Sequence, residues 1–450
     1  MPPSIYPANG FPTVLMSVCR RWRDIVLATP SLWSYFHANL DTFLDPDFDC
    51  LDGEPMPLVF HTYDASRFSA FQQRVERSQD VPLICFLNGN SHIADRYVNL
   101  LFQHAHRWKE IELTISWVAS SLHSSASFTN QAALLLQKLI LDYQHIIPPD
   151  SPIFSFFQAA PRLEDVTIES PQTTRREFPW SQLKHLSLRQ DVLDAKQFEA
   201  FDLPRLLDVL RQCGRLTSLT IIYFSTRPSG AIYPTSAFDG HALTFLNLQH
   251  LSIQCSDSRI TEILYTYLQP SNLRSLELIM SIFPQVIPFL SRLSSSLEDL
   301  KLGANIRLSR DAYFCMLRTL PNLFRLHIRW ISNGLTARTM DPTYLDALAL
   351  GFAADGTLVK GQNTKLKEIK ITGLPYGVKD VHRDLGLIAH AEALARMVES
   401  RWNVAAPSVR RLEKLTLSKY FWEMMRLHAP DAFARLGRCV EEGLAVSVDG

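Results

Sequence analysis

The sequence predicts an α/β chain made by stacking short strand–helix units side by side. Three observations carry that expectation. The first is an apolar phrase, Leu-x-x-Leu-x-Leu, that keeps returning. It reads Leu136/Leu139/Leu141, Leu163/Val166/Ile168, Leu183/Leu186/Leu188 and Leu216/Leu219/Ile221. It returns as Leu248/Leu251/Ile253, Leu273/Leu276/Leu278, Leu297/Leu300/Leu302 and Leu323/Leu326/Ile328. Leu366/Ile369/Ile371 and Leu412/Leu415/Leu417 follow, and Trp108/Ile111/Leu113 is an upstream variant. Chance alone yields roughly three or four such matches when the template is counted over a chain this leucine-rich. The second observation is spacing. The starts lie 20 to 33 residues apart from Leu136 to Leu323, then 43 and 46 apart. A one-strand leucine-rich repeat takes about 20–29 residues, so the last two intervals have room for an insertion each. The third is context. A helix-like stretch and a Pro or Ser often precede the first leucine, as in Pro161-Arg162-Leu163, Ser271-Asn272-Leu273 and Pro321-Asn322-Leu323.

These units specify a leucine-rich-repeat solenoid with parallel strands on its concave face. One repeat cannot bury its own leucines; only the stack can. Only the copy at Leu302 continues towards the full consensus, with Asn305 and Leu308, so the horseshoe is expected to be irregular. Solenoids of this kind present extended binding surfaces. Side chains alternate across a strand. The residue between the last two apolar positions of each phrase therefore faces solvent on the concave wall. In order these are Thr167, Ser187, Thr220, Ser252, Glu277, Lys301, His327, Lys370 and Thr416. The first four are small and uncharged, and the next four are larger and mostly charged. Arg329 stands two residues beyond His327, Gly303 two beyond Lys301, and Asp299, Arg325 and Glu368 two before their row members. A charge-bearing patch of Glu277, Lys301, Arg325, His327, Arg329 and Lys370 is the candidate partner-binding surface.

The other elements follow in order. Pro12 to Leu27 repeats apolar residues every three to four positions, through Val14, Val18, Trp22 and Ile25 or Val26, which predicts one amphipathic helix. Ala28-Thr29-Pro30 stops it, with Thr29 expected to cap a short turn that opens at Pro30. Leu32, Trp33 and Phe36 add a second apolar group. Asp41 to Pro57 is acidic and proline-broken, a linker by composition. Helices are expected over Asp208–Cys213, Ile260–Leu268, Val286–Leu293 and Ala312–Leu320. Ser225–Gly240 and Ala353–Lys365 read as loops, the second at the rim of the charged patch. Leu385–Trp402 predicts a long helix. Trp422–Val440 predicts a closing helix, interrupted near Pro430.

Composition narrows the function classes. Lys+Arg equals Asp+Glu at 45 each, with basic pairs but no basic run. Nucleic acid and anionic membranes are poor partners for such a chain. The seven cysteines form no Cys-x-x-Cys and read as buried reduced thiols. No Asn-x-Ser/Thr site, secretory signal or membrane-length apolar run occurs, so cytoplasm or nucleus is expected. His104 and His106 are placed to share one side of a strand, yet no third ligand has zinc-site spacing. No GxGxxG, GK(S/T) or G-x-S-x-G phrase occurs. No enzyme chemistry and no cofactor is expected.

Ser17 to Phe36, SVCRRWRDIVLATPSLWSYF, resembles the second half of the F-box-like motif in the fungal family of F-box/leucine-rich-repeat proteins. RSQDVPLICFL (Arg77–Leu87) and HAHRWKEIEL (His104–Leu113) are similar to phrases between F-box and repeats in that family, and EEGLAVSV (Glu441–Val448) to its ending. The resemblance implies a helical F-box-like remnant over residues 1–40 and a repeat solenoid over 41–450. It implies the substrate-recognition subunit of a Skp–cullin–F-box ubiquitin ligase, with the repeats selecting the target protein. Val18, Trp22, Ile25, Leu32 and Trp33 are the implied adaptor-binding residues, partly structural and partly adaptor-facing. F-boxes normally open with a Leu-Pro-x-Glu-x-Leu helix, whereas this sequence begins MPPSIYPANGFP. Adaptor binding by this chain is therefore expected to be weak. The residues themselves also fit a leucine-rich-repeat interaction scaffold with no ligase role.

Overall fold

The computed structural model describes residues 11–39, 58–89, 94–115, 133–142, 156–169, 178–192, 203–225, 242–279, 286–303, 310–330, 342–353, 358–360, 363–373, 383–404 and 409–449. The chain divides into two compact units. The first comprises residues 1–190 and 208–213, and the second 191–207 and 214–450.

In the first unit the strands are β1 (Tyr35–Asn39), β2 (Leu83–Gly89), β3 (Trp108–Ile115), β4 (Lys138–Asp142), β5 (Asp165–Glu169) and β6 (His185–Val192). Each pairs in parallel with the next in chain order. The register sets apolar residues side by side. One row runs Phe36, Cys85, Ile111, Leu139, Val166 and Leu186, and all six are buried. The phrase at Leu136 is thus not the first strand. Three strands precede it, and β1 and β2 place Phe36 and Cys85 in the row that later strands fill with Ile111, Leu139, Val166 and Leu186.

In the second unit the strands are β7 (Ser218–Ser225), β8 (Leu243–Phe245), β9 (His250–Cys255), β10 (Leu268–Pro270), β11 (Ser275–Ile279) and β12 (Asp299–Gly303). They continue as β13 (Arg325–Trp330), β14 (Gly351–Phe352), β15 (Leu358–Lys360), β16 (Glu368–Gly373), β17 (Lys414–Ser418) and β18 (Ala445–Asp449). The main sheet is parallel in the order β7-β9-β11-β12-β13-β16-β17-β18 and does not close on itself. Its middle apolar row is Leu219, Leu251, Leu276, Leu300, Leu326, Ile369, Leu415 and Val446. Two small pairs stand apart, β8 with β10 in parallel and β14 with β15 antiparallel.

The first leucine of every phrase, from Leu136 to Leu412, is also buried. The backbone after it repeats one arrangement. The Arg274 carbonyl accepts the N–H groups of Glu298 and Asp299, and the Glu298 carbonyl accepts those of Phe324 and Arg325. The Phe324 carbonyl accepts those of Lys367 and Glu368, and the Lys367 carbonyl those of Glu413 and Lys414. Each unit therefore satisfies the backbone donors of the next before the strand begins, which a buried turn requires.

The expected helices overlap Leu203–Gln212, Ser258–Tyr267, Val286–Arg292, Arg310–Arg318 and Arg383–Trp402, most of them ending one or two residues earlier than expected. Asp257 caps the second of these, accepting from the Arg259 and Ile260 N–H groups at 2.8 and 3.5 Å. Ring contacts join successive helices. Tyr265 stacks on Phe289 at 5.1 Å, and Tyr313 meets Tyr344 edge-on at 4.7 Å. The closing segment is two helices, Lys419–His428 and Pro430–Glu441, separated at Ala429.

Several expectations need correction. Pro12–Leu27 is not one helix but two, Phe11–Val18 and Arg20–Leu27. Cys19 between them is fully extended. The Ser17 hydroxyl donates to the Val14 carbonyl at 2.6 Å, a local bond that competes with helix continuation. Thr29 stands before the turn Pro30–Trp33, but its hydroxyl donates back to the Ile25 carbonyl at 2.7 Å instead of capping. Residues 353–365 are not a plain loop, because β15 lies within them and pairs with β14. His104 and His106 do not share a strand face. His104 precedes the turn Ala105–Arg107 and His106 lies in it, and the turn tucks Arg107 into the core, where it donates to the Ser78 hydroxyl at 2.6 Å and the Val81 carbonyl at 2.9 Å. Asp41–Pro57, Asn305, Leu308 and most of Ser225–Gly240 lie outside the described residues.

Candidate functional site

Two surfaces hold the candidate residues, one in each unit. In the first unit the two N-terminal helices carry Val18, Trp22 and Ile25, which are 61%, 46% and 46% exposed. Val14 and Leu27 are exposed with them. Val26 and Trp33 face inward. Trp33 is only 3% exposed, its indole N–H donates to the Val26 carbonyl at 2.8 Å, and the Arg77 guanidinium lies 4.7 Å from its ring centroid. Leu32 is half-buried. The five implied adaptor residues therefore divide. Trp33 anchors the segment, Leu32 is intermediate, and Val18, Trp22 and Ile25 form an uncovered apolar group. Their periodicity in the sequence marked a helical stripe, but periodicity does not say whether anything covers it.

In the second unit the charged residues lie on the face of the sheet opposite the leucines. Backbone register aligns Thr220, Ser252, Glu277, Lys301, His327, Lys370, Thr416 and Ser447 in one row across eight strands. Arg325 and Arg329 stand on β13 two residues either side of His327, so they share its face. The six candidate residues are thus brought onto one surface spanning β11, β12, β13 and β16.

Hydrogen bonds and ion pairs cross this face from strand to strand. The Ser252 hydroxyl donates to Glu277 Oε2 at 3.2 Å. Arg325 Nε pairs with Asp299 Oδ2 at 3.1 Å. His327 Nε2 and Thr372 Oγ1 are 2.7 Å apart. Lys370 forms an ion pair with Asp449, reaching past β17 to β18. Thr416 and Ser447 hydroxyls are 2.7 Å apart. Lys301 and Arg329, at the centre, form no ion pair with a described residue. His327 is half-buried, and burial followed by Lys370, Lys301 and Arg329 pushes its pKa down to about 4, against a smaller opposing effect of Asp299. At neutral pH it is an uncharged imidazole in a locally positive field.

Sequence reasoning missed Asp449 and Ser447. Both belong to β18, whose Val446 and Val448 alternate without a leucine phrase. Asn363 Nδ2 donates to the Leu317 and Leu320 carbonyls at 3.0 and 2.7 Å, at the end of the helix Arg310–Arg318.

Among the described residues no cluster of three or more His, Cys, Asp or Glu side chains is placed to hold a metal ion. Burial pushes the thiols of Cys85, Cys213 and Cys255 up, with Cys213 at about 12 and Cys255 at about 11, so they are unreactive thiols at neutral pH. Among the described residues no helix is long and apolar enough to cross a membrane. No protein-family model matches the chain, and no curated protein matches it.

Proposed function

We propose that the chain is an irregular leucine-rich-repeat solenoid and serves as the substrate-recognition subunit of a Skp–cullin–F-box ubiquitin ligase. The observation that carries this reading is the exposed apolar group of Val14, Val18, Trp22 and Ile25 on helices anchored from behind by Trp33. Scattered exposed apolar residues need no explanation, but four at helical spacing on two consecutive short helices support a contact surface. In the F-box reading that surface meets the first F-box helix and the adaptor. The target protein docks on the polar sheet face of the second unit, on the concave side of the solenoid.

Co-purification with a Skp-type adaptor tests this. The 450-residue chain is expected to retain the adaptor weakly. A chain carrying a Leu-Pro-x-Glu-type helix ahead of Phe11 is expected to retain it, and Trp22→Ala in that chain to lose it. Tight retention by the chain without the added helix would contradict the half-motif reading. No retention by the completed chain would remove the adaptor. The in-register polar face would then favour the second reading, an interaction scaffold without a ligase role.

A further inference from the structure

We infer that the partner segment bound by the polar face of the second unit is acidic, with carboxylates at alternate positions of an extended stretch. The inference rests on the docking face named above and adds the chemistry of what docks there. Carboxylates already occupy the flanking cations of this face. Asp299 holds Arg325 and Asp449 holds Lys370. The two central cations, Lys301 and Arg329, form no ion pair with a described residue, so a partner's carboxylates are the complementary groups.

Geometry sets their spacing. Lys301 pairs in register with His327, and Gly303 with Arg329. Lys301 and Arg329 are therefore diagonal neighbours on adjacent strands. Their Cα atoms are roughly 8 Å apart, from strands about 4.8 Å apart and a two-residue rise of about 6.6 Å. Acidic residues at positions i and i+2 of an extended segment project to one side with nearly that rise. His327 lies between the two cations and stays uncharged at neutral pH, so it adds a hydrogen-bonding ring and no competing charge. Glu277 sits in the same row on the other side of Lys301. It repels a further acid, so the acidic pair belongs over β12 and β13 and uncharged residues over β11. Charge matching of this kind sets partner choice and association rate.

The test uses the full chain and fluorescence anisotropy with three labelled 15-residue peptides carrying Glu, Gln or Lys at alternate positions. The Glu peptide is expected to bind roughly tenfold or more tightly than the Gln peptide, and to weaken as salt rises. The combined change Lys301→Ser and Arg329→Ser is expected to remove that preference, while Lys184→Ser with Arg211→Ser leaves it intact. The reversal Lys301→Glu with Arg329→Glu is expected to turn the preference towards the Lys peptide. Thermal melting of each variant confirms that the fold is matched. Equal binding of Glu and Gln peptides would overturn the inference, as would an unchanged preference in the Lys301/Arg329 variant. Displacement of the Glu peptide by a single-stranded RNA oligonucleotide at equal concentration would overturn it too. If partner capture needs this face but no Glu preference exists, the docking face stands and the acidic partner class falls.

Discussion

Truncating Leu300 to alanine is expected to lower the unfolding free energy by about 2–5 kcal/mol, the range for a buried leucine in a well-packed site. Leu300 is fully buried and lies in register between Leu276 and Leu326, which are buried with it. Collapse cannot refill the gap cheaply. Backbone bonds from Arg274 to Glu298 and Asp299, and from Glu298 to Phe324 and Arg325, fix the units on both sides. Lys301→Ser, one residue further and on the opposite face, is expected to change stability by under about 0.5 kcal/mol. Urea denaturation of the two variants checks the pair. Equal effects would mean that the faces of β12 are wrongly assigned.

Arg401→Met carries the second large effect, a loss of about 1–3 kcal/mol. Arg401 is fully buried on the long helix Arg383–Trp402. Its Nε donates to the Leu348 carbonyl at 2.6 Å and its Nη1 to the Asn363 carbonyl at 3.2 Å. The buried Leu348 carbonyl left without this donor costs about 1–3 kcal/mol, whereas the Asn363 carbonyl keeps the Leu366 N–H at 3.0 Å. The methionine recovers part of the lost packing. Asn363 in turn holds the Leu317 and Leu320 carbonyls, so the guanidinium ties the inserted segment to the helical layer. Arg401→Lys is expected to fall between the two, because one ammonium does not reproduce the planar fork. Burial draws the guanidinium pKa down to about 10. A folded pKa below the unfolded one makes stability fall as pH drops through that interval, from about 12.5 to 10. Stability therefore does not titrate with this group near neutrality, and the variant's loss is expected to be the same at pH 6 and pH 8. A loss confined to one of these values would contradict that assignment.

The repeat phrase made the middle of the fold legible. Its last two apolar positions fall on strands and its first falls in the buried turn before them, because both must be covered by the neighbouring units. Alternation then placed Glu277, Lys301, His327 and Lys370 in one row before any register was known. Three strands were hidden for one reason. β1, β2 and β18 put Phe36, Cys85, Val446 and Val448 in the apolar rows, so a template that counts leucines passes over them. Asp449, which occupies Lys370, was hidden with β18. The break at Cys19 left no mark in the periodicity, which runs on through Val14, Val18 and Trp22. The exposure of Val18, Trp22 and Ile25 depends on what packs against a helix, and an amphipathic stripe carries no such information. His104 and His106 were misplaced because two residues apart in a strand and across a tight turn look alike in sequence.

The polar face of β11, β12, β13 and β16 as a partner-binding surface is the central claim. Its most direct test is the combined change of Lys301, Arg325, Arg329 and Lys370 to Ser, compared with the unchanged chain at matched melting temperature. Proteins retained by each chain are identified and quantified side by side. The bound partners are expected to be lost or reduced at least several-fold, while the buried rows and the melting transition persist. An unchanged partner set at unchanged abundance would contradict it and move the binding site to the loops.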